Sequence, residues 1–161
     1  MAKRKEIIPG EFMDFKIITL NEFEVMGREY ELSNSLNRNM MLAQKHWQKF
    51  NMELRKNKVH LGRNWIKYAF VYEDNGELYY YIAVPKKEDV SFDFKMKTIP
   101  KSKYLMVEHN GNMNKLKSTV DSVYNNVSGF KSSDFAYFEK YDYKFHWNRK
   151  DSIIELYFPI K

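Results

Sequence analysis

The chain has no cysteine. That alone excludes a disulfide scaffold, a thiolate metal site and a cysteine nucleophile, and it fits a reducing compartment. No stretch approaches the roughly 18–20 consecutive apolar residues that a membrane-spanning helix needs. The opening segment MAKRKEIIPGEF is basic but lacks an apolar core and a small-residue cleavage site, so no secretory signal is read there and a cytoplasmic location is expected. A phosphate-cradling glycine loop and a nucleophile elbow are also absent. The four histidines, His46, His60, His109 and His146, fall at no metal-ligand spacing. No catalytic residue, metal ligand or cofactor is therefore assigned. His109, in a strand-to-helix corner, is expected to make backbone hydrogen bonds.

What remains is globular: 161 residues, 43% apolar and 30% charged, enough for one ordinary domain. Twenty-seven basic against 21 acidic side chains give +6, which raises nucleic acid as a partner. The basic residues are scattered among acidic ones, apart from Lys3-Arg4-Lys5 and a run from Lys45 to Arg63. They read as a solvated surface, and direct DNA binding is not expected. The unusual feature is aromatic content: 12 Tyr, 12 Phe and 3 Trp, or 17% of the chain. Such residues favour strands, and tyrosine also suits a ligand pocket, with its flat apolar face and polar tip.

Two stretches carry a helical period. Leu36, Met40, Ala43, Trp47, Phe50 and Leu54 fall on one face, with Asn34 or Ser35 as the cap. Met113, Leu116, Val120, Val123 and Val127 form the second stripe, bounded by Gly111-Asn112 and Gly129. Strands are predicted at Phe23–Leu32, Trp65–Tyr72, Leu78–Val84, Phe92–Ile99, Lys103–His109, Phe135–Tyr141 and Ile153–Phe158. Asp74-Asn75-Gly76 marks a hairpin, since Asn-Gly accepts positive φ. Tyr143 to Ser152 reads as a charged, irregular loop.

The two halves repeat. Phe15-Lys16-Ile17-Ile18-Thr19-Leu20 matches Phe94-Lys95-Met96-Lys97-Thr98-Ile99, and Ile82-Ala83-Val84-Pro85 matches Leu156-Tyr157-Phe158-Pro159. In each half a strand, a helix and two strands follow the first of these segments. The expected architecture is α+β: a tandem duplication of a β-α-β-β unit about a pseudo-twofold axis, with an antiparallel sheet, two helices and a central ligand cleft. Boundaries fall at a basic tail, 1–13, and a domain, 14–161, with repeats at about 14–86 and 93–161.

Alternation in the last strand turns Ile154, Leu156 and Phe158 toward a helix, and Glu155 and Tyr157 away from it. Aligning the two Pro-terminated strands sets Glu155 at the position of Tyr81, which shares a face with Tyr79. One carboxylate and several tyrosines are thus expected near the pseudo-axis. A poorly hydrated carboxylate must take a proton or find a cation, and aromatic walls add cation–π attraction of roughly 0.5–2 kcal/mol per contact. From alternation alone, a plain pairing of Glu155 with a lysine, or a solvated face, stays open.

The chain resembles the GyrI-like, or AraC-type effector-binding, domain family. The resemblance rests on Thr98 to Gly111 (TIPKSKYLMVEHNG), Phe138-Glu139-Lys140-Tyr141-Asp142 and Ile154 to Lys161 (IELYFPIK). In the first half it rests on Phe23-Glu24-Val25-Met26-Gly27 and Trp47-Gln48-Lys49-Phe50. It spans about residues 14–161. The resemblance implies a standalone effector-sensing protein for amphipathic, cationic aromatic compounds, with a transcription link. In it Glu155 would be the countercharge, Tyr79, Tyr81 and Tyr157 the walls, and Tyr68 and Trp47 further wall candidates. Its partners would be a small hydrophobic or cationic ligand and a protein acting in transcription or DNA topology, with no membrane. Two alternatives follow from the same family: a hydrolase of DNA-alkylating natural products using that glutamate, and a nucleic-acid- or topoisomerase-binding modulator. The family's Trp-Leu-Pro-x-Ser-Gly stretch is replaced here by Tyr124-Asn125-Asn126-Val127-Ser128-Gly129, which alters the expected cleft mouth.

Overall fold

A computed structural model describes residues 15–88, 93–146 and 149–161. The basic tail at 1–13, the predicted strand start at Phe92, and Trp147 and Asn148 within the charged loop lie outside the described residues. Eight strands and two helices follow in the order β1 (Phe15–Leu20), β2 (Phe23–Glu31), α1 (Leu36–Lys56), β3 (Lys67–Asp74), β4 (Glu77–Pro85), β5 (Lys95–Ile99), β6 (Ser102–Asn110), α2 (Leu116–Asn126), β7 (Tyr137–Tyr141) and β8 (Ile153–Pro159). A 3-10 turn at Met113–Lys115 leads into α2.

The helices start where capping chemistry allows. Ser35 caps α1, its hydroxyl accepting from the Arg38 amide. Asn112 caps the turn before α2, its side-chain oxygen accepting from the Asn114 amide. The β3–β4 hairpin closes on Asn75 (φ 52) and Gly76 (φ 81), the positive dihedrals that Asn-Gly tolerates. Three predicted starts are early: Trp65 precedes β3, Asp93 and Phe94 precede β5, and Phe135 precedes β7. Trp65, half-buried, and Phe135, buried, pack beside the sheet without joining its ladder.

All eight strands form one antiparallel sheet, ordered β1-β6-β8-β7-β3-β4-β2-β5. Exchanging the halves (β1 for β5, β2 for β6, β3 for β7, β4 for β8) returns the same order read backwards. The sheet therefore has the pseudo-twofold symmetry expected of a duplication, with its axis at the β3–β7 seam. The first strand of each half crosses over: β1 pairs with β6, and β5 pairs with β2. Each half thus covers an edge the other would leave bare.

Strand alternation sorts the side chains onto two faces. Ala69, Tyr80, Ile82, Val84, Ile154, Leu156 and Phe158 bury with Phe50 and Leu54 of α1 and Val120 and Val123 of α2. Val25, Phe70, Tyr81, Ala83, Tyr104, Phe138 and Tyr157 form a second buried cluster on the opposite face, closed partly by Phe135. At the corner before α2, His109 bridges Thr119 Oγ1 (2.7 Å) and the Asn112 carbonyl oxygen (2.9 Å), which locks strand to helix.

Candidate ligand site

The central strands β3 and β7 place Lys67, Ala69 and Val71 beside Tyr137, Glu139 and Tyr141 on the helix-covered face. Glu139 lies directly opposite Ala69. It is 2% exposed and forms part of the wall of a cavity of about 430 Å³ between the sheet and the two helices. The rest of that wall is mostly apolar or aromatic: Trp47, Tyr80, Val120 and Tyr137, with Met40 and Met41 of α1. The two methionines are 41% and 63% exposed, so flexible thioether side chains border the opening.

Burial sets the electrostatics. Taking the Glu139 carboxylate out of water pushes its pKa up to about 7, although hydrogen bonds from Tyr141 and Tyr80 pull the other way. Both tyrosine hydroxyls donate to the same oxygen, Oε1, at 2.6 Å. Trp47 Nε1 donates in turn to Tyr80 Oη at 3.1 Å. Burial, then the nearby Glu139 charge, raises Tyr80 and Tyr141 well above the usual tyrosine range, so both remain protonated donors. Among the described residues no lysine or arginine forms an ion pair with Glu139. The site therefore offers one ionisable, hydrogen-bonded carboxylate, while the cation on the cavity wall among the described residues, Lys117, is paired with Asp121.

The residues expected from sequence divide between the two faces. Trp47 reaches this cavity. Glu155 does not. It lies on the opposite face, its side chain 12% exposed, with Lys144 Nζ at 2.7 Å and Lys140 Nζ at 3.7 Å. Tyr157 Oη donates to its Oε1 at 2.7 Å. Burial opposes ionisation there, but the Lys144 and Tyr157 hydrogen bonds and the lysine charges prevail and hold the Glu155 carboxyl below its usual range. Tyr157 stacks on Phe138 at 4.6 Å, and Tyr68 packs against Phe23, Phe70 and Phe138. Tyr81 donates to the Lys95 carbonyl oxygen at 2.6 Å. Tyr79 stacks on Tyr72 at 5.3 Å. These five residues belong to the packed face away from the helices, whereas the cavity lies under the helices.

The missed residues are Glu139, Tyr80, Tyr137 and Tyr141. A signal for them existed in Tyr137-x-Glu139-x-Tyr141, which alternation sets on one face. That strand carries aromatic rings and one charge on each face, however, so its pattern does not say which face a helix covers.

The fold is that of a small-molecule-binding domain: a duplicated β-α-β-β sheet whose two helices roof a hollow around one buried carboxylate. The chain belongs to the integron-associated effector binding protein family, Cass2, whose model matches residues 16–160. Solved structures share the fold. SAV2435 bound to tetraphenylphosphonium is 18% identical, with a TM-score of 0.70 over 92% of this chain and 94% of that one. The C-terminal domain of EcmrR is 15% identical, with a TM-score of 0.60 over 94% and 99% of the two chains. The integron cassette protein VCH_CASS2 of Vibrio cholerae is 15% identical, also with a TM-score of 0.60, over 93% and 98%. At these identities the likeness concerns the fold. No curated protein sequence matches the chain. Among the described residues no helix is long and apolar enough to cross a membrane, and no cluster of three His, Cys, Asp or Glu could hold a metal ion.

Proposed function

We propose that the protein binds lipophilic organic cations in the cavity beneath α1 and α2, with Glu139 as the countercharge. The observation that carries this reading is a buried carboxylate, raised to about 7 and without a basic partner among the described residues, on the wall of a largely apolar hollow. A carboxylate so placed gains most from a guest that brings positive charge and needs little water of its own. The rings of Trp47, Tyr80 and Tyr137 supply faces for such a guest. The tetraphenylphosphonium bound by SAV2435 is a cation of this kind, which supports the choice of ligand class. Glu155, already neutralised by Lys144, has no need of a guest, so the countercharge role moves to Glu139.

Calorimetry with tetraphenylphosphonium and with neutral triphenylphosphine oxide tests the reading. The cation is expected to bind with micromolar affinity and the neutral compound much more weakly. Glu139→Gln should cost the cation about 1–3 kcal/mol. Equal binding of the two compounds by the wild type would refute the charge role.

A further inference from the structure

The pseudo-twofold axis that passes between Ala69 and Glu139 has a hollow on each side. Val71 and Tyr137, opposite each other across the seam, face the larger one. Lys67 and Tyr141, opposite each other one step further along on the other side, face a smaller cavity of about 190 Å³. Trp47 and Met113 lie on the walls of both. Tyr141, on the wall of the smaller one, links the two: its hydroxyl donates to Glu139 of the larger, while its ring stands edge-on to Trp47 (4.9 Å) and Phe145 (5.0 Å). The partition between the two hollows is thus an indole, a phenol ring and one flexible thioether.

The smaller cavity has the opposite electrostatic character. Lys67 Nζ donates to Asn51 Oδ1 at 2.9 Å and sits 5.4 Å from the centre of the Trp65 ring. Neither contact carries a negative charge, and among the described residues no carboxylate pairs with this ammonium. An ammonium has three donors, and the amide of Asn51 uses one of them. Burial, and then the charge of Arg55, lowers the Lys67 pKa, as expected of a cation short of compensation.

We propose that the smaller cavity is an acid-binding subsite continuous with the cation site, in which Lys67 receives a carboxylate carried by the same ligand. The ligand class is then a zwitterionic amphiphile, with its cationic end at Glu139 and its acidic end at Lys67, threaded past Trp47 and Met113. This rests on the cation-binding reading above and narrows its ligand class.

The test compares two probes that share a cation: (4-carboxybutyl)triphenylphosphonium and its methyl ester, titrated by calorimetry at pH 8. The wild type is expected to bind the free acid roughly tenfold more tightly than the ester, as for a hydrogen bond between charged groups. Lys67→Met should bring the acid down to the affinity of the ester for the same variant, and continued binding of the ester shows that the variant is folded. Lys67→Arg should keep the preference. An acid that binds no better than its ester, or a preference that survives Lys67→Met, overturns this inference and leaves the cation site standing. Failure of the ester to bind, or ester binding indifferent to Glu139→Gln, overturns the cation site and this inference with it.

Discussion

Ala69 and Glu139 face each other across the β3–β7 seam and are the same position in the two halves of the chain. The register proves the equivalence. Tyr68 pairs with Ala83, two residues before Pro85, and Phe138 pairs with Tyr157, two residues before Pro159. Tyr68 therefore corresponds to Phe138, and Ala69 to Glu139. The axis of the duplication runs between a methyl group and a carboxylate. A glutamate in both halves would set two like charges side by side in a dry site, where at most one could ionise. One small and one acidic residue leave a single charge with room around it.

Ionisation of that charge should govern ligand affinity. With its pKa near 7, Glu139 is largely protonated in the free protein below neutrality, and a cation must displace the proton to bind. Affinity for tetraphenylphosphonium is expected to rise about tenfold per pH unit up to about pH 7 and then level off. Proton release should appear as a dependence of the calorimetric enthalpy on the buffer's ionisation heat. Tyr80→Phe or Tyr141→Phe removes a donor to the ionised form, so each should move the rise to higher pH. An affinity independent of pH between 5 and 8 would exclude Glu139 as the countercharge.

The same group makes a stability prediction for the ligand-free protein. Its folded pKa, about 7, lies above the ordinary value of 4.5. The native state therefore holds more protons than the unfolded chain between those values. Stability from this group is fully present below about pH 4.5 and is lost as pH rises through about 7, by on the order of 3 kcal/mol in all. Glu139→Gln cannot ionise and escapes that loss. Its melting temperature relative to wild type should climb from pH 5 to pH 8, and parallel curves for the two proteins would count against the burial argument. Binding and stability are thus expected to trade against each other at one residue.

Much of this was legible in the chain. The two helical stripes, the Asn75-Gly76 hairpin and the paired segments ending at Pro85 and Pro159 state a duplicated α+β fold directly, because each depends on local periodicity. The alternation that turns Ile154, Leu156 and Phe158 toward a helix also holds. What alternation cannot state is which face of a twice-buried sheet keeps a void. Both faces carry tyrosines: Tyr80, Tyr137 and Tyr141 on one, Tyr68, Tyr81 and Tyr157 on the other. The face away from the helices keeps a smaller hollow, about 210 Å³ beside Phe70, Tyr72 and Lys97, and the difference lies in how closely distant elements approach. Of the partners that decide the matter, Lys144 for Glu155 and Tyr80 for Glu139 lie on other segments.

Glu155 tests the assignment from the other side. Its carboxylate is paired, hydrogen-bonded and remote from the cavity, so Glu155→Gln should leave tetraphenylphosphonium affinity within about twofold. It should instead cost stability, on the order of 1 kcal/mol for a partly shielded ion pair. Because its folded pKa is depressed, that contribution is present above the ordinary value of about 4.5 and disappears as pH falls through the folded value. Wild type and variant should therefore converge in melts taken progressively further below pH 4.5. A variant that loses ligand affinity as severely as Glu139→Gln would return the site to the opposite face.

Gly27 carries a different kind of constraint, imposed by the sheet and not by the ligand. It sits in β2 between β4 and β5, opposite Ala83 on one side and Lys95 on the other. A side-chain carbon built on Gly27 would fall 2.7 Å from the Ala83 Cα and closer still to the Ile82 carbonyl oxygen. Those are backbone atoms in a sheet ladder, and they cannot swing aside as a side-chain tip would. Gly27→Ala is therefore expected to destabilise the fold by roughly 3 kcal/mol or more, read as a lower urea midpoint. The damage should reach the site, because Tyr80 and Ile82 of β4 set the position of the Glu139 hydrogen bond. A Gly27→Ala protein with wild-type urea midpoint would mean that β2 and β4 lie further apart than this register places them.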